Sequence, residues 1–274
     1  MREEPFGVRI GDGSLAGCAA SEGAPALLLH GGPAIPDYMG PCALELEGLF
    51  ATIRYTQRGV PPSTVGSPYS IESHMADALA VLDARGLERA WAIGHSWGGH
   101  LALHLLVSHP ERLLGVVCVD PLGAFDAFAE LGANMQRRLS PDERERAAEI
   151  QAKRDAGEAT EQEVVERWGI MWPQYFLHDE LASAPPRNVG PRCSTDTNAS
   201  IAEHFEQRTL ELGLPEARLP VLVVHGAQSP LPIESAERTA ALIPGTVFET
   251  VDDCGHFPWI EQPGAVRQAL ERFL

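Results

Sequence analysis

Short apolar segments alternate with helical segments along the first half of the chain, and this alternation restricts the fold more than any other feature. The segments Ala26–Leu29, Ala51–Tyr55, Trp91–Ile93 and Leu113–Val119 are almost free of charge, as expected for strands buried on both faces. Amphipathic patterns typical of helices lie between them. Strand–helix units repeated in this way favour a parallel sheet with helices on both faces. We therefore predict an α/β fold with a doubly wound, mostly parallel sheet.

Strand patterns also occur near both ends of the chain. The segments Val8–Ile10 and Leu15–Cys18 flank the turn Gly11–Gly13, which is typical of an antiparallel hairpin. Late in the sequence, Leu219–His225 and Thr246–Val251 are apolar runs with strand character. The predicted sheet therefore combines the beginning and the end of the chain.

Capping signals and apolar spacing predict several helices. One should run from about Tyr38 to Leu49. Another begins after Ser70, a favourable N-cap residue, and ends at Gly86, which suits a helix C-terminus. A last helix carries apolar residues at helical spacing within 266–273.

The strand pattern is interrupted between about residues 123 and 205. This segment is charged, has helical patterns and contains several prolines. We predict that it is an all-helical insertion, a cap, and that residues 1–122 and 206–274 together form the core that contains the sheet.

The charge balance argues against nucleic acid and membranes as partners. The chain has 38 acidic and 21 basic residues, a formal net charge of −17, which repels polyanions at long range. No stretch approaches the roughly 18 apolar residues of a membrane span, and Met1–Pro5 has no apolar signal segment. We therefore expect a soluble, cytoplasmic protein. The sequence carries no signal for its oligomeric state.

The cysteines are expected to be reduced thiols. Their number is odd, so they cannot all pair, and no C-x-x-C spacing occurs. They are Cys18, Cys42, Cys118, Cys193 and Cys254.

The segment Gly94–Gly98 has the pattern G-x-S-x-G and places Ser96 between a predicted strand and a predicted helix. A serine in such a tight turn takes strained backbone angles, and small flanking residues keep the turn clear of neighbouring strands. The strain exposes the hydroxyl to a substrate. We therefore predict that Ser96 is a nucleophile, although a five-residue pattern also arises by chance and needs support from partner residues.

A serine nucleophile needs a base, and His256 is the best candidate among the 10 histidines. It lies between the last predicted strand and the last predicted helix, on a loop at the carboxyl edge of the sheet. Open α/β sheets bind their ligands at this edge. His256 also follows the serine in the chain, as in hydrolases with this type of serine turn. The alternative is a loop histidine that is hydrogen-bonded only to the backbone.

Backbone amides of Gly32 and Trp97 are the predicted donors to an oxyanion. The turn His30–Pro33 follows a predicted strand, so its amides should lie at the same edge of the sheet as Ser96. The amide of Trp97 comes directly after the serine. For Gly32, the alternative is that His30–Pro33 is an ordinary glycine turn without a role in catalysis.

These motifs resemble those of the α/β-hydrolase superfamily, and the resemblance covers essentially the whole chain. The segments His30–Pro33, Tyr55–Gly59, Gly94–Gly99 and Gly255–Pro263 look like motifs of its prolyl-iminopeptidase-like branch. The resemblance implies an eight-stranded sheet, a helical cap after the sixth strand and serine hydrolysis without a cofactor. It does not identify the reaction, since esterases, lactonases, peptidases, C–C hydrolases and some lyases share these motifs.

The acid of the expected triad is missing from its usual position. Members of the superfamily usually carry aspartate in the pattern H-G-x-x-D after the seventh strand, where this chain has Ser229. We predict that Asp120, at the end of the sixth strand, replaces it, because adjacent strands lie only about 4.8 Å apart and some members place their acid there. Asp252 and Asp253 are alternatives, although both are too close in sequence to His256 for an easy approach. A site without any acid is the third alternative.

Aromatic residues near and within the insertion are predicted to lie above the serine. They either line a pocket for a small hydrophobic substrate or pack the insertion onto the core. They are Phe125, Phe128, Trp168, Trp172 and Tyr175.

The sequence predicts no metal and no cofactor. His100 and His104 are four residues apart on a predicted helix, but no third ligand is evident and no H-E-x-x-H motif occurs. Helix packing is the alternative role for both. Nucleotide-binding patterns such as G-x-G-x-x-G are also missing.

Three functions are compatible with these residues. The main hypothesis is a serine hydrolase that cleaves an ester, lactone or amide of a small molecule. The second is a prolyl-iminopeptidase-like aminopeptidase, which Ala34 disfavours because it breaks the fuller H-G-G-P-G pattern of such peptidases. The third, suggested by Ser229, is a non-hydrolytic biosynthetic enzyme or a ligand-binding protein on the same fold.

Overall fold

The structure is a computed structural model that describes residues 3–182, 184–186 and 188–274. It contains one sheet of eight strands, in the order β1-β2-β4-β3-β5-β6-β7-β8. The strands are β1 (Glu4–Ile10), β2 (Gly13–Ala19), β3 (Ala24–Leu29), β4 (Phe50–Thr56), β5 (Ala90–His95), β6 (Leu113–Val119), β7 (Val221–Gly226) and β8 (Val247–Val251). Strand β2 is antiparallel to both of its neighbours, and the remaining pairs are parallel. The predicted eight-stranded, mostly parallel sheet is confirmed.

Helices pack on both faces of this sheet. They are α1 (Gly40–Glu45), α2 (Ile71–Ala84), α3 (Trp97–Ser108), α4 (Phe128–Arg138), α5 (Pro141–Asp155), α6 (Glu161–Met171), α7 (Pro191–Glu206), α8 (Thr209–Gly213), α9 (Ile233–Ala241), α10 (Pro258–Glu261) and α11 (Ala265–Phe273). In β3, Leu27 and Leu29 pack in one buried cluster with α2 and α3, whereas Leu28 packs in a second cluster with α1 and α11. Because successive side chains of a strand point to opposite faces, a strand covered on both sides needs apolar residues at every position.

The predicted hairpin turn and the predicted ends of helix α2 are confirmed. Strands β1 and β2 pair through a turn in which Gly11 has a positive φ of 55°. The hydroxyl of Ser70 accepts the N–H of Ser73 at 3.3 Å and so caps α2. Gly86, with φ 68°, follows the end of that helix.

The predicted helix from Tyr38 to Leu49 is wrong in length, because α1 covers only Gly40–Glu45. Before it, the carboxylate of Asp37 accepts the N–H of Met39 at 2.9 Å and holds a turn instead of a helix. After it, Gly48 takes a positive φ of 83°, which a continuing right-handed helix does not allow.

The segment between β6 and β7 contains helices α4 to α8 and, within the described residues, no strand. The all-helical character predicted for residues 123–205 agrees with this, whereas the division into a core and a cap domain stays a prediction. None of the described helices combines the length and the apolar character needed to cross a membrane. All five cysteines are free.

Candidate active site

Ser96 lies in the turn between β5 and α3, with φ 56° and ψ −120°. A non-glycine residue rarely takes a positive φ, and such strain is typical of a serine held for catalysis. Backbone hydrogen bonds fix the turn: the N–H of Ser96 donates to Val119 at 3.1 Å, and its C=O accepts from Gly99 at 3.0 Å. The structure therefore places Ser96 at the predicted strand-to-helix turn.

Close backbone contacts explain the two glycines of the G-x-S-x-G pattern. A Cβ on Gly94 would lie 2.1 Å from the carbonyl oxygen of Gly98, and a Cβ on Gly98 would lie 1.9 Å from that of Leu29. Both contacts are with the backbone, so no side-chain rotation could relieve them. The turn can approach β3 this closely only because Gly98 lacks a side chain, and its two ends can approach each other only because Gly94 does.

His256 lies on the loop between β8 and α10 and is buried. Its Nδ1 is 2.6 Å from Oδ1 of Asp120, the residue that directly follows β6. A carboxylate only accepts hydrogen bonds, so Nδ1 carries the proton and Nε2 of the neutral ring is an acceptor. The N–H of His256 donates to Tyr175 at 2.9 Å, which holds the loop. His256 and Ser96 line the same small cavity.

The carboxylate of Asp120 is fully buried and is held by the end of the neighbouring strand β7. Oδ2 accepts the N–H of Gly226 at 2.9 Å, and Oδ1 accepts the hydroxyl of Ser229 at 2.6 Å. Burial alone would raise the pKa of Asp120, but the charges of His225 and His256 and the hydrogen bonds from His256 and Ser229 outweigh it, so the pKa lies below its usual value. Asp120 is therefore ionised where it meets His256.

The alternative acids are not placed against His256. Asp252 and Asp253 are exposed, and the carboxylate of Asp253 lies 3.4 Å from Nε2 of His178. Ser229 does not replace a carboxylate but donates a hydrogen bond to one, Asp120. Sequence reasoning missed this contact, because the sequence does not show which carboxylate the Ser229 hydroxyl contacts.

The backbone amides of Gly32 and Trp97 belong to residues that line one cavity with Ser96. Neither N–H has an acceptor among the described residues. Both are therefore free to donate to an oxygen of a bound molecule. His30, in the same turn, is structural, because its Nε2 accepts the N–H of Gln57 at 3.0 Å.

A chain of hydrogen bonds links the glycine turn to the His256 loop, and sequence reasoning missed it. Nε2 of His95 donates to the carbonyl oxygen of His256 at 2.7 Å, so Nδ1 of the neutral ring accepts the hydroxyl of Tyr38 at 2.6 Å. The same hydroxyl accepts the N–H of Gly31 at 2.8 Å. Burial lowers the pKa of His95 well below its usual value and raises that of Tyr38 well above it, so both groups keep these roles at neutral pH.

Replacing Tyr38 with phenylalanine should lower the free energy of unfolding by about 1–3 kcal/mol, because it leaves the Gly31 N–H and Nδ1 of His95 without partners. Denaturant-induced unfolding measures the change. The matched control is Tyr55→Phe, which removes a buried hydroxyl that has no partner among the described residues. The control should leave stability unchanged or higher, and an equal loss in both variants would argue against the hydrogen-bonded chain.

Two cavities contact Ser96. The larger of these two, which we call the main cavity, has a volume of about 260 Å³. Of the predicted pocket residues, Phe128, Trp168 and Tyr175 line it. Trp172 lines the smaller cavity of about 20 Å³ that also contacts Ser96.

The prediction for Phe125 is corrected, because it lines neither of these two cavities. The guanidinium of Arg238 lies 3.8 Å from the centre of its ring. This cation–π contact fixes the ring against α9 instead of leaving it free to face a substrate.

Two arginines also line the main cavity, and the sequence did not indicate them. Arg154 lies at the end of α5 and Arg167 on α6. Both helices are rich in charged residues, so a cation that faces inward looks like its solvated neighbours in the sequence.

The two helical histidines are paired with each other. Nε2 of His104 is 3.2 Å from Nε2 of His100, and Nδ1 of His100 donates to the carbonyl oxygen of Gly123 at 3.0 Å. In the described ranges, no three His, Cys, Asp or Glu side chains are close enough to hold a metal ion.

Comparison with known proteins identifies the family of this chain. The α/β hydrolase fold family matches residues 25–263. The chain is 29% identical to a 2-hydroxymuconate semialdehyde hydrolase of Pseudomonas putida, in an alignment that covers 92% of this chain and 88% of the relative. It is 27% identical to a carboxylesterase of Bacillus subtilis, in an alignment that covers 90% of this chain and 79% of the relative.

A solved structure shows the same fold. A thermophilic esterase from Thermogutta terrifontis superimposes with a TM-score of 0.70 at 24% identity, covering 99% of this chain and 97% of the other. The family match spans most of the sequence and includes both β5 and the loop that carries His256. The chain therefore belongs to the α/β hydrolase fold family.

Proposed function

We propose that this protein is a cofactor-independent serine hydrolase for a small-molecule ester or lactone, with Ser96, His256 and Asp120 as its triad. The observation that carries the proposal is the 2.6 Å contact between Asp120 and Nδ1 of His256, beside a cavity that His256 shares with Ser96. This contact orients the ring so that Nε2 can take a proton from the serine hydroxyl.

The proposed reaction has two halves. Ser96 Oγ attacks the substrate carbonyl while Nε2 of His256 takes the hydroxyl proton, and the amides of Gly32 and Trp97 donate to the oxyanion. The C–O bond then breaks, the leaving alcohol takes the proton from His256, and an acyl-serine remains. Water, deprotonated by His256, releases the acid by the same steps and restores Ser96.

The lining of the cavity favours this reaction over an aminopeptidase. Binding a free amino terminus calls for carboxylates, whereas the charged residues that line the main cavity are Arg154 and Arg167. Within the described residues no Asp or Glu lines it. The names of the two relatives, a semialdehyde hydrolase and a carboxylesterase, also support hydrolysis of a small molecule. The prolyl-iminopeptidase-like branch thus finds no support in the cavity.

A fluorophosphonate probe should label the protein at Ser96, because it reacts with serines that an adjacent base activates. Mass spectrometry of the labelled peptide identifies the position. The matched control is Ser108→Ala at the far end of α3, which should label normally, whereas Ser96→Ala should not label. An unlabelled native protein that also fails to cleave 4-nitrophenyl esters would favour a binding protein or a non-hydrolytic enzyme. Faster cleavage of aminoacyl-naphthylamides than of esters would favour the aminopeptidase.

A further inference from the structure

The main cavity is lined by two arginines that have no ionic partner among the described residues. Neither Arg154 nor Arg167 forms an ion pair with any described carboxylate. Arg154 donates to the hydroxyl of Ser194 at 3.2 Å, a neutral partner. The Nε of Arg167 is buried and has no acceptor within the described part of the chain.

Two other cations on the same helices are paired with carboxylates. Arg146 contacts Glu149 at 2.6 Å and Glu166 at 2.7 Å, and Lys153 contacts Glu163 at 2.6 Å. Carboxylates are therefore plentiful on α5 and α6, yet they serve the outward-facing cations.

Arg144 on α5 also has no carboxylate partner among the described residues, but it donates to the carbonyl oxygens of Gln136 and Leu139. Arg167 differs because its buried Nε has no acceptor in the described part of the chain.

The surroundings of Arg167 destabilise its positive charge. Burial and the nearby charge of Arg154 lower its pKa, while Tyr175 and Asp155 oppose this only in part. A partly buried guanidinium without an anion loses solvation that nothing replaces. An anion from outside the chain would supply the missing acceptor, even though the chain as a whole is strongly acidic.

We infer that this cavity recognises a substrate that carries a carboxylate in addition to its scissile bond, with Arg167 and Arg154 as the carboxylate-binding residues. The inference rests on the proposed function for the position of the scissile bond. A planar guanidinium presents paired N–H donors that match the two oxygens of a carboxylate. Ser194 and Asn198, one turn apart on α7, line the same cavity and add neutral polar groups.

The carboxylate takes no part in bond making. It binds to the arginines before and after the reaction, while the ester bond to the leaving alcohol breaks at Ser96. Most of the remaining lining is apolar, including Leu122, Phe128, Leu131, Met135, Met171 and Ile201. The substrate class is thus a carboxylic acid with an apolar body and an ester or lactone group.

The first test compares two esters that differ by one charge, mono-4-nitrophenyl adipate and its methyl ester. The wild-type kcat/KM should be about tenfold or more higher for the free acid, as expected for a charge-assisted hydrogen bond. In Arg167→Gln and Arg154→Gln, the ratio of kcat/KM for the free acid to kcat/KM for the methyl ester should fall toward one. The matched control is Arg192→Gln, which removes the same charge from an arginine with 81% side-chain exposure that lies outside this cavity.

A ratio near one in the wild type, or a high ratio that survives both cavity variants, would overturn the inference. Loss of the ratio in Arg192→Gln as well would assign it to the net charge of the chain and not to the cavity. Thermal unfolding of each variant shows whether it is folded.

The second test does not depend on turnover, so it separates this inference from the proposed function. Calorimetry measures binding of monomethyl adipate and of dimethyl adipate to Ser96→Ala. The monoacid should bind about tenfold or more tightly, and adding Arg167→Gln should remove the difference. Equal binding of the two esters to Ser96→Ala contradicts the carboxylate site even if the enzyme is an esterase, whereas a preference for the acid supports it even if no ester is cleaved.

Discussion

Replacing Asp120 with asparagine should lower kcat for 4-nitrophenyl esters by about a thousandfold to ten-thousandfold, the size of effect expected when a triad loses its acid. The asparagine amide has nearly the same shape as the carboxylate but no charge to stabilise the imidazolium of His256. It can also donate to Nδ1, which would place the proton on Nε2, where the base must be free. Steady-state kinetics measure the loss.

The control for this prediction is Asp253→Asn, which removes a carboxylate only three residues before His256 in the sequence. Asp253 is exposed and lies near His178, so its replacement should change kcat by less than about twofold. If Asp253→Asn were as damaging as Asp120→Asn, or if Asp120→Asn kept wild-type turnover, the assignment of the acid to the end of β6 would be wrong.

A second substitution can place a carboxylate at the position where the H-G-x-x-D pattern expects it. The hydroxyl of Ser229 is 3.4 Å from Nδ1 of His256, so an aspartate there would reach the ring. Adding Ser229→Asp to Asp120→Asn should recover part of the lost turnover. Ser229→Ala alone should cost only about tenfold, because Asp120 keeps the N–H of Gly226 and loses one hydrogen bond.

Replacing Gly98 with alanine should destabilise the fold by about 3 kcal/mol or more, at the upper end of overpacking substitutions. The new methyl group would lie 1.9 Å from the carbonyl oxygen of Leu29, and neither backbone can move without disturbing β3 or α3. We expect a low yield of folded protein and a lower midpoint in thermal unfolding.

Gly169 provides the matched control for this substitution. It lies within α6, and a Cβ there would meet no atom within 4 Å. Gly169→Ala should therefore raise stability by about 0.5–1 kcal/mol, because alanine has the higher helix propensity. A loss of stability in both variants would mean that the close contact at Gly98 is not the cause.

The sheet could be predicted because of where its strands lie. Central strands such as β3 are covered on both faces, so Leu27, Leu28 and Leu29 must all be apolar, and the sequence records this directly. The length of α1 could not be predicted in the same way. It depends on the Asp37 turn before the helix and on the backbone angle of Gly48 after it, and propensity does not reveal either.

The residues of the candidate site also differ in how well the sequence could predict them. Ser96 and His256 belong to local patterns with a known place on a sheet, so the sequence could identify them as candidates. The partnership of Tyr38 with His95 joins residues 57 positions apart, and neither residue signals the other. Arg167 shows the same limit, since it is distinguished by a buried Nε that has no acceptor among the described residues, and only the three-dimensional structure reveals this.

The end of β7 and the turn after it hold a carboxylate that they do not carry. Gly226, the last residue of β7, and Ser229 in the turn both donate to Asp120, which directly follows the neighbouring strand β6. A motif search that requires aspartate in the H-G-x-x-D pattern would therefore reject this chain. Under the proposed triad, such a search fails wherever the acid lies at the end of the sixth strand. Accepting a carboxylate at the end of either strand, with a hydroxyl on the other, avoids the error.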